Sequence, residues 1–191
     1  QPILLHCVSK YPCLPEELNL NTIKFYNEKF DIPIGFSDHS IENDAAIAAV
    51  ALGAKVIEKH FTLSRELYGA DHKVSQTPEE FKQLVERIRE VESNPKKQQE
   101  TLNSDLTKRS LGTTGKILNE DEAVFRPLFR KSLMAGQNIP AGTIITKEMV
   151  YAMRPQQHAG GLPSEKFINV LGKTVNCKLK RFDPITSEVI E

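Results

Sequence analysis

Net charge of either sign, long apolar runs and paired cysteines are all missing from this sequence, and each absence removes a class of function. Lysine plus arginine and aspartate plus glutamate number 25 each in 191 residues. The formal charge is therefore zero, no net field favours nucleic acid or an anionic membrane surface, and any anion must be held by local groups. The longest strongly apolar stretch, Ala45 to Leu52, is far short of the roughly 20 residues that span a bilayer, and the opening residues lack the basic and apolar regions of a leader peptide. A soluble chain is expected. Cys7, Cys13 and Cys177 are odd in number and have no CxxC spacing, which fits a reducing compartment such as the cytoplasm better than a disulfide framework. Buried structural thiols are expected of them. With 39% hydrophobic and 26% charged residues the chain has enough apolar material for one medium core or two small ones. It opens on Gln1-Pro2 and runs straight into apolar residues without a methionine, and so reads as cut from something longer.

Residues 1–93 alternate short apolar runs with helix-like segments, the pattern of βα units around a parallel sheet. Strands are expected at Ile3 to Val8, Ile32 to Phe36 and Lys55 to Ile57 or slightly beyond. The first helix is expected from about Pro15, with Ile23, Tyr26 and Phe30 at helical spacing, and the second from about Ile41 to Gly53. The clearest helix follows Thr77-Pro78-Glu79-Glu80, a capping box with proline at the first helical position, and presents Phe81, Leu84, Val85, Ile88 and Val91 on one face. The long polar connection from Thr62 to Gln76 is a candidate lid. Residues 94–128 read as a linker with one short helix. Residues 129–191 read as a small β-rich domain with strand candidates at Lys131 to Ala135, Thr143 to Ile145, Val150 to Met153 and Lys173 to Val175. No internal repeat of 20 to 50 residues is evident.

In a parallel α/β barrel the side chains at the C-terminal strand ends face the active site. Here those residues are Ser9-Lys10-Tyr11, Ser37-Asp38-His39 and Glu58-Lys59-His60. His39 and His60 are one βα unit apart, which puts both imidazoles on one rim, where they could share a divalent ion while water and substrate oxygens fill its other positions. The alternative, a hydrogen-bonded structural histidine, stays open on spacing alone. Glu58 could orient a water beside such a metal, or pair at the rim with Lys55 or Lys59. Asp71, after the tight turn at Gly69, could reach a substrate hydroxyl or serve as a turn residue.

Several stretches in order, His6-Cys7-Val8-Ser9-Lys10-Tyr11-Pro12, Gly35-Phe36-Ser37-Asp38-His39-Ser40, Val56-Ile57-Glu58-Lys59-His60-Phe61-Thr62, Gly69-Ala70-Asp71-His72, Arg130-Lys131-Ser132-Leu133 and Arg154-Pro155, make the chain resemble the sialic acid synthase family. That family includes the bacterial synthases of N-acetylneuraminic, legionaminic and pseudaminic acids and the related spore-coat polysaccharide synthase. The resemblance implies the C-terminal part of a (β/α)8 TIM barrel, about strands six to eight, followed by an antifreeze-like (SAF, β-clip) domain. It implies condensation of phosphoenolpyruvate with an N-acylated amino sugar, release of phosphate, a divalent Mn2+ or Mg2+ ion, and a domain-swapped homodimer. By the same resemblance His39 and His60 are metal ligands, Glu58 and Asp71 catalytic, and Ser37, Ser9 and Tyr11 part of the phosphoenolpyruvate pocket. Arg154 would contact the acceptor's acyl group. Two departures, Gln156-Gln157 where many members carry glycine and Gly69-Ala70-Asp71 in place of Gly-Pro-Asp, bear on substrate identity more than on reaction class. The segment from Gly112 to Arg126 also lies outside the family's pattern. Three other readings stand beside this one: a non-catalytic dimerisation module, an aldolase-like barrel enzyme with zinc at His39 and His60, and an ice-binding surface.

Overall fold

The structure, a computed structural model, describes residues 2–118 and 120–191; Gln1, in the expected first domain, and Asn119, in the expected linker, lie outside it. The described residues form two compact units, Gln1–Glu122 and Ala123–Glu191. Among them no helix is long and apolar enough to cross a membrane.

The first unit is a three-stranded parallel sheet, β1 (Leu4–Cys7), β2 (Ile34–Asp38) and β3 (Val56–Lys59), in spatial order β1-β2-β3. Pro33, with no N–H to give a ladder, precedes β2, which therefore starts later than expected and continues past Phe36 as Ser37 pairs with Glu58 and Asp38 with Lys59. One face of the sheet is apolar. Ile34, Phe36 and Val8 pack there with Leu18, Leu20, Ile23, Ala45, Ala48 and Leu52 in one core.

Of the helices, α1 is Asn21–Lys29, α2 is Asp44–Ala51 and α3 is Pro78–Ser93. Pro15–Glu17 is only a single 3-10 turn, because the chain breaks at Asn19, held at φ 49° with its side chain donating to Thr22 Oγ1 and to the Gly115 carbonyl. The α3 capping box is present as expected: the Glu80 carboxylate accepts from Thr77 N at 2.8 Å, and Pro78 opens the helix. Leu84 and Val91 of α3 pack with Ala46, Ile47 and Ala51 of α2, so α2 is buried on more than one side, and its run of alanines suits the narrow space.

The stretch 94–128 differs from the expected linker. It carries α4 (Pro95–Asn103) and α5 (Asp105–Ser110), and Asn94 and Ser104, residue types that also break helices, are their N-caps, accepting from Lys96 N and Thr107 N respectively. Leu102 packs against the core, and the carbonyls of Ser110 and Leu111 accept from Leu20 N and Asn21 N. Further along, Lys116 Nζ donates to the Cys7 carbonyl at 2.7 Å and Glu122 Oε1 accepts from Ser9 N at 2.8 Å. Leu4 N bonds toward β2, so by alternation Cys7 and Ser9 turn their backbone groups outward along the edge of β1, and the two charged side chains occupy that edge.

His6 shows what the apolar face does to a titratable group. It is 1% exposed, stacked on Phe36, and donates from Nε2 to the Leu18 carbonyl at 2.7 Å, leaving Nδ1 buried without a partner among the described residues. Burial drives its pKa down from 6.5 to about 4. The unfolded chain then binds the extra proton at a higher pH than the folded one, so stability rises with pH between these values. We expect about 2 kcal/mol to be lost through this group between pH 7.5 and pH 5. Urea unfolding of His6→Gln across that range should show a correspondingly flatter profile.

The second unit pairs β4 (Ser132–Ala135) antiparallel with β5 (Val150–Met153) over a core of Leu133, Ala135, Ile139, Ile145, Val170, Val175, Leu179 and Ile185. The expected strands at 143–145 and 173–175 occur as an isolated bridge, Ile144 to Thr174, flanked by hydrogen bonds from Ile145 N to the Lys173 carbonyl and from Val175 N to that of Thr143. A repeat of forty residues runs through the unit, contrary to the expectation from sequence. Gly142 N bonds the Val175 carbonyl and Phe182 N that of Ala135; Ile145 N bonds the Lys173 carbonyl and Ile185 N that of Leu133; Ile139 and Leu179 bond each other reciprocally. Gly142 and Phe182 share a left-handed backbone, at φ 79° and 72°. Each bond recurs with both partners advanced or set back by the repeat, the signature of a pseudo-twofold arrangement.

Candidate active site

At the C-terminal ends of β1, β2 and β3 the pleat sorts the side chains into two sets. Cys7, Ser37 and Glu58 are register partners across the three strands and lie on the face opposite the apolar core. Ser37 Oγ donates to Glu58 Oε1 at 2.7 Å. Burial pushes the Cys7 thiol up, against hydrogen bonds from Ser37 and Ser9, so this cysteine is a neutral polar neighbour rather than a nucleophile. Cys13 is buried and pushed up to about 12 by burial and by Glu17, and Cys177 is exposed, so the expectation of buried thiols holds for Cys13 and not for Cys177.

Just beyond the strands three rings converge. The centroids of His39 and His60 lie 5.2 Å apart with planes at 84°, and Tyr11 lies 4.2 Å from His39 and 5.8 Å from His60. His39 Nδ1 is 2.7 Å from the Val8 carbonyl. A carbonyl can only accept, so Nδ1 carries a proton, and in the neutral ring the lone pair is then on Nε2, the tautomer in which that nitrogen can bind a metal. Two imidazoles so placed fit a divalent ion that keeps open positions for water or substrate. Among the described residues no three His, Cys, Asp or Glu side chains form a complete cage. Burial first, and with it the negative charges of Asp71 and Glu58, push the Tyr11 hydroxyl up, which puts both carboxylates within electrostatic reach of that ring.

The expected residues therefore fall into groups. His39, His60 and Tyr11 come together, as do Ser9, Ser37 and Glu58. Asp71, itself exposed, begins a 3-10 turn, Asp71–Val74, that ends on the buried Val74, and Arg154 is exposed directly after β5 in the second unit. Glu58 accepts from Ser37 and does not pair with Lys59, which is engaged elsewhere. Sequence reasoning missed the residues that hold this rim. Lys59 Nζ donates to Asp38 Oδ2 at 2.7 Å, to the Ser40 carbonyl at 2.8 Å and to the Glu42 carbonyl at 3.0 Å, and both side chains of the ion pair are 0% exposed. Gln76 Nε2 donates to the Ile41 carbonyl at 2.6 Å, while Gln76 N bonds the His60 carbonyl. With three successive carbonyls so engaged, residues 40–42 are loop, and α2 starts at Asp44 rather than at Ile41. The only advance signal was the sequence adjacency of Asp38 to His39 and of Lys59 to His60.

A parallel sheet backed by helices, with polar groups at its C-terminal strand ends, and a small antiparallel domain after it define a segment of an α/β barrel joined to a β-clip module. Residues 1–100 match the model of the NeuB family and residues 130–190 that of the SAF domain, and the chain belongs to the NeuB family. It is 37% identical over 188 residues to human N-acetylneuraminate-9-phosphate synthase, covering 98% of this chain and 47% of that protein. It is 37% identical over 171 residues to a pseudaminic acid synthase of Campylobacter jejuni, covering 90% and 44%. The crystal structure of spore coat polysaccharide biosynthesis protein SpsE from Bacillus subtilis superposes with a TM-score of 0.77 at 32% identity, covering 99% of this chain and 53% of that one. The chain spans somewhat under half the length of the curated relatives it matches.

Proposed function

We propose that the protein containing this chain is a nonulosonic acid synthase that condenses phosphoenolpyruvate with a 2-acetamido aldose and releases phosphate, and that this chain supplies its metal-binding rim. The observation that carries the reading is the His39 and His60 pair, with Nε2 of His39 left free by the Val8 carbonyl. A divalent cation, Mn2+ or Mg2+, held there would polarise the acceptor's aldehyde oxygen and stabilise the charge that develops on it. Ser37, with Ser9 and Tyr11, would hold phosphoenolpyruvate so that its C3 faces the aldehyde carbon. As the new C–C bond forms, C2 becomes cationic. Glu58, oriented by Ser37, takes a proton from the water whose oxygen bonds C2, and the former aldehyde oxygen takes up a proton to become a hydroxyl. Collapse of the resulting C2 centre, with the proton of its new hydroxyl passing to the departing phosphate, breaks the bond from C2 to the phosphate oxygen and leaves the 2-keto acid. Asp71 would bind acceptor hydroxyls. In a homodimer, Arg154 of a second copy would meet the acceptor's acyl group.

Phosphate release from phosphoenolpyruvate by the full-length protein, across a panel of 2-acetamido sugars with and without Mn2+, tests this. Release should require both sugar and metal and fall by at least about 100-fold in His39→Ala. Absence of release from folded, metal-loaded protein with every sugar would leave the dimerisation-module reading in front, and formation of a condensation product that does not depend on phosphoenolpyruvate would favour the aldolase-like one.

A further inference from the structure

Resting on the reading of His39 and His60 as metal ligands, we propose that Lys59, Asp38 and Gln76 form a positioning clamp that sets the distance and orientation of the two imidazoles. The pleat that turns Ser37 and Glu58 to one face turns their neighbours Asp38 and Lys59, themselves register partners, to the other. There the Lys59 ammonium meets three acceptors, its full donor capacity, and Asp38 Oδ1 accepts from Ser40 N at 2.8 Å. Gln76, 1% exposed, supplies the remaining link by donating to Ile41 while its backbone holds His60. The carbonyls of residues 40, 41 and 42 are thus fixed one after another by side chains reaching from the His60 side, and the His39 ring is fixed by Val8.

A fully buried ion pair is a weak device for stability, since an apolar pair of similar volume often does as well or better. Its cost is understandable if geometry is what it secures. Groups behind metal ligands typically change affinity by 10- to 100-fold when removed. Stability and metal affinity should therefore separate here.

The test uses the full-length protein and measures Mn2+ affinity, by the electron paramagnetic resonance signal of free Mn2+, under conditions where each variant is fully folded. Asp38→Leu combined with Lys59→Met should lower the urea midpoint less than Lys59→Met alone, since no charge is left buried, while the Mn2+ Kd of the folded variant rises about 10- to 100-fold. If the double variant does not fold, Gln76→Met carries the test, with a Kd about tenfold higher expected. A wild-type Kd in the folded variant overturns the clamp and leaves the two ligands standing. No Mn2+ binding by wild type, or wild-type binding by His39→Ala, removes the ligand assignment, and the clamp falls with it.

Discussion

Replacing Lys59 alone by methionine should destabilise the first unit by about 3–5 kcal/mol, because the Asp38 carboxylate would stay buried with its cation gone. Lys59 Nζ donates to Asp38 Oδ2, and without it Asp38 Oδ1 would still accept from Ser40 N, a neutral donor that leaves the charge uncompensated. A loss of that size is comparable with the whole stability of a small domain, so the variant should be partly unfolded at moderate urea. Chemical denaturation followed by circular dichroism would measure it. A change below about 1 kcal/mol, the range of an exposed pair, would show that water reaches this pair in solution. Breaking the pair in this way should cost far more than replacing both partners, as in Asp38→Leu with Lys59→Met.

Glu58→Gln in the full-length protein should lower turnover by about 10²- to 10⁴-fold, the usual contribution of a general base, with little change in the KM for phosphoenolpyruvate. Glutamine keeps an oxygen to accept from Ser37, so the row of Cys7, Ser37 and residue 58 stays in place and only the proton acceptor is lost. Steady-state phosphate release checks this. An unchanged turnover would reassign Glu58 from water activation to support of Ser37. A raised KM at constant turnover would assign it to substrate binding.

The βα units are legible in the sequence because their signals are local. Apolar runs mark β1 to β3, and Thr77 with Glu80 announces α3 from residue types and spacing alone. What escapes depends on direction or on distant partners. Position at a strand end points every polar residue toward the active site, yet the pleat sends Asp38 and Lys59 backward into the protein, and no periodicity distinguishes a buried lysine from an exposed one. Asn94 and Ser104 pass for linker residues because a cap and a break use the same amino acids, and only the helix that follows tells them apart. The repeat in the second unit is hidden by substitution. Ile145 and Ile185, and Thr146 and Thr186, match, but Gly142 aligns with Phe182 at the one turn where glycine would have been the marker. For the candidate site, residue types and order are readable from sequence, whereas the tautomer of His39 follows only from its distance to the Val8 carbonyl.

The side chains along β1 bear on what can pair with that strand. A sheet edge grows by offering unpaired backbone donors and acceptors to a strand from another molecule, which is how ordered aggregates begin. With Lys116 on the Cys7 carbonyl and Glu122 on Ser9 N, any strand laid against this side of β1 would have to displace a cation and an anion before its first two bonds could form, so side-chain charge and backbone pairing compete there for the same groups.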